Sequence, residues 1–187
     1  LQRYDAQHQP VEGVHRVNTA DAGQQSSAPV TAVDITGDFV IGWESPDADG
    51  TGVVARRFDS SLRKLTGEIA LNSTTTGAQG NLSLAMGPLG SFVATWESPD
   101  ADGTGIVARR FNADGTAAGG EIAVNTTTTG DQADPVVAVD ATGRFVVAFG
   151  SGEDVIGRRF AADGTALAGE VTVNTTMAGG QGRGGNH

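Results

Sequence analysis

The chain has 187 residues, 28 of them Gly and none Cys, with 12 basic against 22 acidic side chains and a formal net charge of −10. That length holds one domain or a piece of a larger one, and the absence of thiols excludes disulfides and thiolate-ligated zinc. The acidic balance argues against nucleic acid and anionic membrane surfaces as partners, because a phosphate backbone is gripped by clustered Lys and Arg, and no apolar run approaches the roughly 18 residues of a membrane span.

Residues 1–18 come first and read as the second half of a unit: Arg3-Tyr4-Asp5-Ala6 through Val17-Asn18 align with Arg110-Phe111-Asn112-Ala113 through Val124-Asn125. Residues 19–72 hold the first full unit, with β-like segments at Ala28 to Asp34, Asp38 to Glu44, Gly52 to Asp59 and Glu68 to Asn72. Thr36-Gly37, the Pro46-Asp47-Ala48-Asp49-Gly50 loop and a polar stretch separate them, all turn-forming chemistry. Residues 73–125 repeat that unit at an offset of 53: the sixteen residues from Trp43 to Phe58 recur from Trp96 to Phe111 with Ile106 in place of Val53. Residues 126–174 form a third unit that puts Phe149 where Trp96 stands, shortens the loop and resumes at Arg158-Arg159-Phe160. Residues 175–187 read as a Gly-rich start of a next unit, or a tail. Asn18, Asn72, Asn125 and Asn174 mark the same point in successive copies, and Gln25, Gln79, Gln132 and Gln181 each follow by seven residues.

No segment sustains a 3.6-residue period, and four short strands per roughly 50 residues is the arithmetic of a β-propeller blade. The second strands, FVIGW, FVATW and FVVAF, are apolar at consecutive positions, which requires cover on both faces; a blade between two others has it. The expected fold is all-β and propeller-like, with four-stranded antiparallel blades, three complete units and partial units at both ends. Because propellers close with about four to eight blades, such a chain is expected in an oligomer or larger assembly, or as a fragment.

The recurring chemistry lies in loops and strand ends. Asp47 with Asp49, and Asp100 with Asp102, each followed by Gly, place two carboxylates at i and i+2, where the chain can wrap a hard cation such as calcium. Asp-Gly is equally a favoured turn pair in its own right. The arginine pairs Arg56-Arg57, Arg109-Arg110 and Arg158-Arg159 sit on third strands, so one member of each faces a neighbouring blade and can bond Glu or carbonyls there. Trp43 and Trp96, with the amides of Gln79 and Gln132, fit a sugar-binding reading, with core burial as the alternative for the two Trp. No H-E-x-x-H, G-x-S-x-G or P-loop is present. Chemistry that recurs with a repeat favours binding or scaffolding over catalysis.

These elements together resemble a repeat family of large secreted or surface-anchored bacterial proteins. The resemblance rests on Val124-Asn125-Thr126 with Gly130 and Gln132, Asp140 with Gly143 and Phe145-Val146-Val147, Asp100 to Gly103, Arg109-Arg110-Phe111, and Glu170 with Val173-Asn174. It covers nearly the whole chain and implies a propeller-like fold and extracellular or cell-surface placement, often beside calcium-binding haemolysin-type repeats; it implies no one activity. The third unit departs from the pattern in lacking the acidic loop. The expectation is a non-enzymatic structural or adhesive module, with calcium as candidate cofactor and other copies of itself, a larger assembly or glycans as partners. The alternatives are a lectin with repeated shallow sites and the non-catalytic region of a secreted hydrolase.

Overall fold

The structure, a computed structural model, describes residues 1–11, 13–19 and 29–175. Gln25, Gln181 and the start of the segment expected from Ala28 lie outside the described residues. Twelve strands and no helix occur among the described residues, arranged as three four-stranded antiparallel sheets. Sheet 1 contains β1 (Val30–Val33), β2 (Phe39–Pro46), β3 (Thr51–Phe58) and β4 (Ile69–Ala70). Sheet 2 contains β5 (Gly80–Met86), β6 (Phe92–Pro99), β7 (Thr104–Phe111) and β8 (Ile122–Ala123). Sheet 3 contains β9 (Gln132–Val139), β10 (Phe145–Ser151), β11 (Asp154–Phe160) and β12 (Val171–Thr172). In each, the strands pair in chain order as a meander.

The central hairpins of sheets 1 and 2 share one register. Phe39 lies opposite Phe58 and Pro46 opposite Thr51, just as Phe92 lies opposite Phe111 and Pro99 opposite Thr104. In sheet 3 the shortened loop becomes a two-residue turn, Gly152-Glu153, closing the Ser151–Asp154 pair, with Gly152 at φ 61°. That left-handed angle is the conformation tight hairpins demand and glycine adopts without strain. Each hairpin ends in a stacked Phe pair, with ring centroids 5.2, 4.8 and 4.7 Å apart. Such pairs add about 0.5–1.5 kcal/mol beyond their burial.

The fourth segments are shorter than the sequence predicts: Glu68 to Asn72 contracts to Ile69–Ala70. The reason is local. The Val53 amide donates to Asn72 Oδ1 at 3.0 Å, so a side chain stands in where a further ladder partner would sit.

Successive sheets pack face to face. Val40, Val53, Ala55 and Leu71 of sheet 1 meet Leu82, Leu84, Phe92, Ala94, Trp96 and Phe111 of sheet 2 in one core. Val93, Ile106, Ala108 and Val124, on the other side of sheet 2, meet Val137, Phe145, Val147, Phe149 and Phe160 of sheet 3 in a second. The alternation along β6 explains both cores, since Val93 points one way while Phe92, Ala94 and Trp96 point the other. The apolar runs of β2 and β6 are thus covered on both faces. Leu1 and Val17 close the remaining face of sheet 1 over Ile41, Trp43 and Phe58. At Gly42 the sheets approach so closely that a Cβ would meet Leu82 Cδ2 at 2.5 Å, which fixes glycine there.

Candidate functional site

The recurring polar residues converge on the junctions between sheets. Asn125 Oδ1 accepts the Ile106 amide at 2.8 Å, and its Nδ2 donates to Gln132 Oε1 at 2.8 Å and to the Thr127 carbonyl at 2.9 Å. Gln132 Nε2 donates in turn to the carbonyls of Thr129 and Gly130. The same lock recurs one unit earlier, from Val53 through Asn72 and Gln79 to Thr76 and Gly77. The seven-residue spacing thus places two side-chain amides against each other where the chain leaves one sheet for the next. Gln79 and Gln132 are fully buried and Asn72 and Asn125 nearly so, an arrangement tolerable only because the amide groups find partners.

In the Arg109-Arg110 pair the two side chains work in opposite directions, as period-two alternation requires. Arg109 Nη1 reaches back to the Leu71 carbonyl at 3.0 Å, while Arg110 Nη1 reaches forward to the Ala162 carbonyl at 2.5 Å. Arg158 repeats the backward bond to the Val124 carbonyl, and Arg56 repeats it to the Val17 carbonyl, with Glu68 alongside at 3.6 Å. These guanidinium groups tie sheets together.

Two kinds of glutamate contact escape sequence reasoning. Glu121 accepts from the amides and hydroxyls of both Ser73 and Thr74, in the connection that leads from sheet 1 to sheet 2. Glu68 does the same with Thr19, and Glu170 accepts the Thr126 amide. Glu44 accepts the Asn81 amide at 2.9 Å, and Glu97 that of Asp134 at 2.8 Å, each in the following sheet. The receiving residues lie at register shifts in β5 and β9 with φ of 49° and 54°. A bulge leaves a backbone amide without a ladder partner, and the carboxylate of the neighbouring sheet supplies one. The Glu that follows Trp43 and Trp96 was visible as a repeated letter; the bulge that gives it a role was not.

Burial alone would raise the Glu121 carboxyl, but the four donors from Ser73 and Thr74 outweigh it and hold the group below its ordinary value of 4.5. The ionised form is therefore favoured by folding. Its stabilisation is full above pH 4.5 and is lost as pH falls through the lowered folded-state value. Glu121→Gln is expected to melt lower than the wild type at pH 6, and the gap should close as pH drops below 4.5. Melting curves of both proteins between pH 3 and pH 6 check this.

The Asp loops are closed by their own hydrogen bonds. Asp47 Oδ1 accepts the Asp49 amide and Asp100 Oδ1 the Asp102 amide, each at 3.0 Å, the pattern of an Asx turn. Asp49 Oδ2 accepts the Gly77 amide at 3.2 Å. The two loops also differ at the first carboxylate: Asn125 Nδ2 approaches Asp100 Oδ2 at 3.4 Å, whereas Asp47 Oδ2 is buried without a hydrogen-bond partner. Among the described residues no group of three or more His, Asp or Glu is gathered to hold a metal ion.

All four residues of the sugar-contact reading, Trp43, Trp96, Gln79 and Gln132, lie buried, which for the two Trp is the placement the core alternative expects. Trp96 is 1% exposed inside the sheet 1–sheet 2 core and Trp43 7% exposed under Leu1 and Val17, so neither offers a ring face for stacking. The two Gln amides are consumed by the locks. The strand pattern that makes these Trp conspicuous is the one that buries them.

No family model matches the chain, and no curated protein matches it. Among solved structures, it is similar to the crystal structure of an unknown function protein from Dyadobacter fermentans DSM 18053, at 9% sequence identity and a TM-score of 0.43, over 83% of this chain and 71% of that one.

Proposed function

We propose that the chain is a non-enzymatic structural or adhesive repeat module of the bacterial cell surface or exterior, its sheets acting as blades of a propeller-like scaffold. The observation that carries this reading is where the recurring chemistry is spent. Arg109, Glu121, Asn125 and Gln132, and their counterparts one unit away, all bond across or beside sheet junctions. Side chains that repeat because they join repeats are architecture. The propeller-like arrangement is supported by four-stranded meanders stacked in series through two successive cores. Extracellular placement rests on the sequence resemblance.

A glycan array tests the reading against the lectin alternative. The scaffold reading expects no saturable binding to any sugar, whereas saturation at one sugar per sheet would overturn it.

Calcium belongs to the proposal at one loop only. The partnerless Asp47 Oδ2 favours a cation beside it, and Asp100, whose second oxygen has Asn125, has less need of one. Added calcium is expected to raise the melting temperature by mass action. Asp47→Asn should remove that rise and Asp100→Asn should leave it. A melting temperature indifferent to both calcium and chelator would mark both loops as ordinary turns.

A further inference from the structure

The two outward faces of this three-sheet stack are unequal. Sheet 1 ends under the segment that holds Val17 and Thr19, where Arg56 donates to the Val17 carbonyl and Glu68 accepts the Thr19 amide. These are the bonds that Arg109 makes to Leu71 and Glu121 to Ser73 and Thr74 at the next junction. Val17-Asn18-Thr19 therefore occupies the place of a preceding unit.

Sheet 3 ends differently. Its outward side carries Val136, Val146, Val155, Val171 and Val173, exposed by 62, 38, 44, 59 and 61%. At the corresponding points of sheet 2, Val93, Ile106 and Val124 are at most 4% exposed, because sheet 3 covers them. In sheet 1, Val40, Val53 and Leu71 are buried under sheet 2 in the same way. The valine face is thus the continuation of an interface the molecule already makes twice. Beside it stands Val173-Asn174-Thr175, the same tripeptide as Val17-Asn18-Thr19.

We propose that this valine face is the docking surface for sheet 1 of a second copy of the chain. Val173-Asn174-Thr175 there takes the place that Val17-Asn18-Thr19 holds on Arg56 and Glu68. The inference rests on the blade reading above and names its partner. The exchange returns like for like in polar contacts: Arg56 of the second copy meets the Val173 carbonyl, and its Glu68 meets the Thr175 amide. Arg159, which stands in sheet 3 where Arg110 stands in sheet 2, would reach forward into the second copy as Arg110 does to the Ala162 carbonyl. The gain is burial of five valines that otherwise face water. One contact is not carried over, since Gly150 stands where Glu97 hooks the Asp134 amide, so the junction relies on apolar burial and the Arg and Glu bonds. The arrangement is head to tail.

The chain has no Cys, so engineered thiols report contacts without background. A Cβ at Gly87 of sheet 2 would lie 3.7 Å from Val139 Cγ1 of sheet 3, and the corresponding points at the proposed junction are Asp140 of one copy and Val33 of the other. Full-length Asp140→Cys and Val33→Cys proteins, mixed and treated with a short bismaleimide, are expected to give at least ten times more cross-linked dimer than either alone. Sedimentation of the wild type should show association that rises with concentration. Val146→Asp with Val173→Asp, both at exposed positions, should keep the circular dichroism spectrum and abolish the dimer. Cross-linking of Asp140→Cys to itself would mean that two valine faces pair back to back, and would overturn the proposal. So would a wild type that remains monomeric at every concentration. Failure of the scaffold reading shows separately, as sugar binding on the array.

Discussion

Trp96→Ala is expected to cost about 3–5 kcal/mol, the range for removing a large aromatic from a packed interior. Trp96 is 1% exposed and sits among Val40, Val53, Leu71, Leu82, Leu84 and Phe92, so its loss opens a cavity lined by two sheets. Neither sheet can collapse into the gap alone, because the other side of sheet 2 is held by sheet 3. Denaturant unfolding of wild type and variant measures the difference. A loss under 1 kcal/mol would place the ring at the surface and reopen the sugar-platform reading. Trp43→Ala provides the internal comparison: Trp43 lies beneath Leu1 and Val17 and not between two full sheets, and its cost should be smaller.

The second large effect belongs to the buried amide lock. Asn125→Ala strands the Ile106 amide and Gln132 Oε1 together, and each buried group left without a partner costs about 1–3 kcal/mol. A total of about 3 kcal/mol or more is expected. Gln132→Ala should cost less, since Asn125 Nδ2 keeps the Thr127 carbonyl. Because the two act as one unit, the double variant should cost little more than Asn125→Ala, and a double-mutant cycle should give a coupling of about 1–3 kcal/mol. Simple additivity would mean that the amides serve separate ends.

The β class and the four-stranded antiparallel pattern were open to sequence reasoning because turn signals and a near-identical sixteen-residue stretch leave few alternatives for the hairpins of sheets 1 and 2. The seven-residue Asn–Gln spacing was visible too, but its partner was not, since nothing in the letters says that the two amides face each other. Glu44, Glu97 and Glu121 were illegible for a related reason. Their partners are backbone amides far along the chain, freed by a bulge or presented by a turn, and backbone groups leave no mark in composition. The amphipathic character of Trp and Gln pointed toward sugar, whereas two-sided packing sent them inward. The open valine face had no signature at all, because Val136, Val146 and Val173 read as core residues until the sheets are stacked and counted from one end.

The central claim is that the junctions bind the sheets into one cooperative scaffold. Amide hydrogen exchange on the wild type and on Asn125→Ala tests it most directly. The account predicts that the Ile106 amide loses protection in the variant, and that amides of β9 and β10 lose it in parallel, because the lock at Asn125 joins sheet 2 to sheet 3. Loss of protection confined to the turn at residues 126–131, with β9 and β10 unchanged, would contradict the account and leave three sheets that merely adjoin.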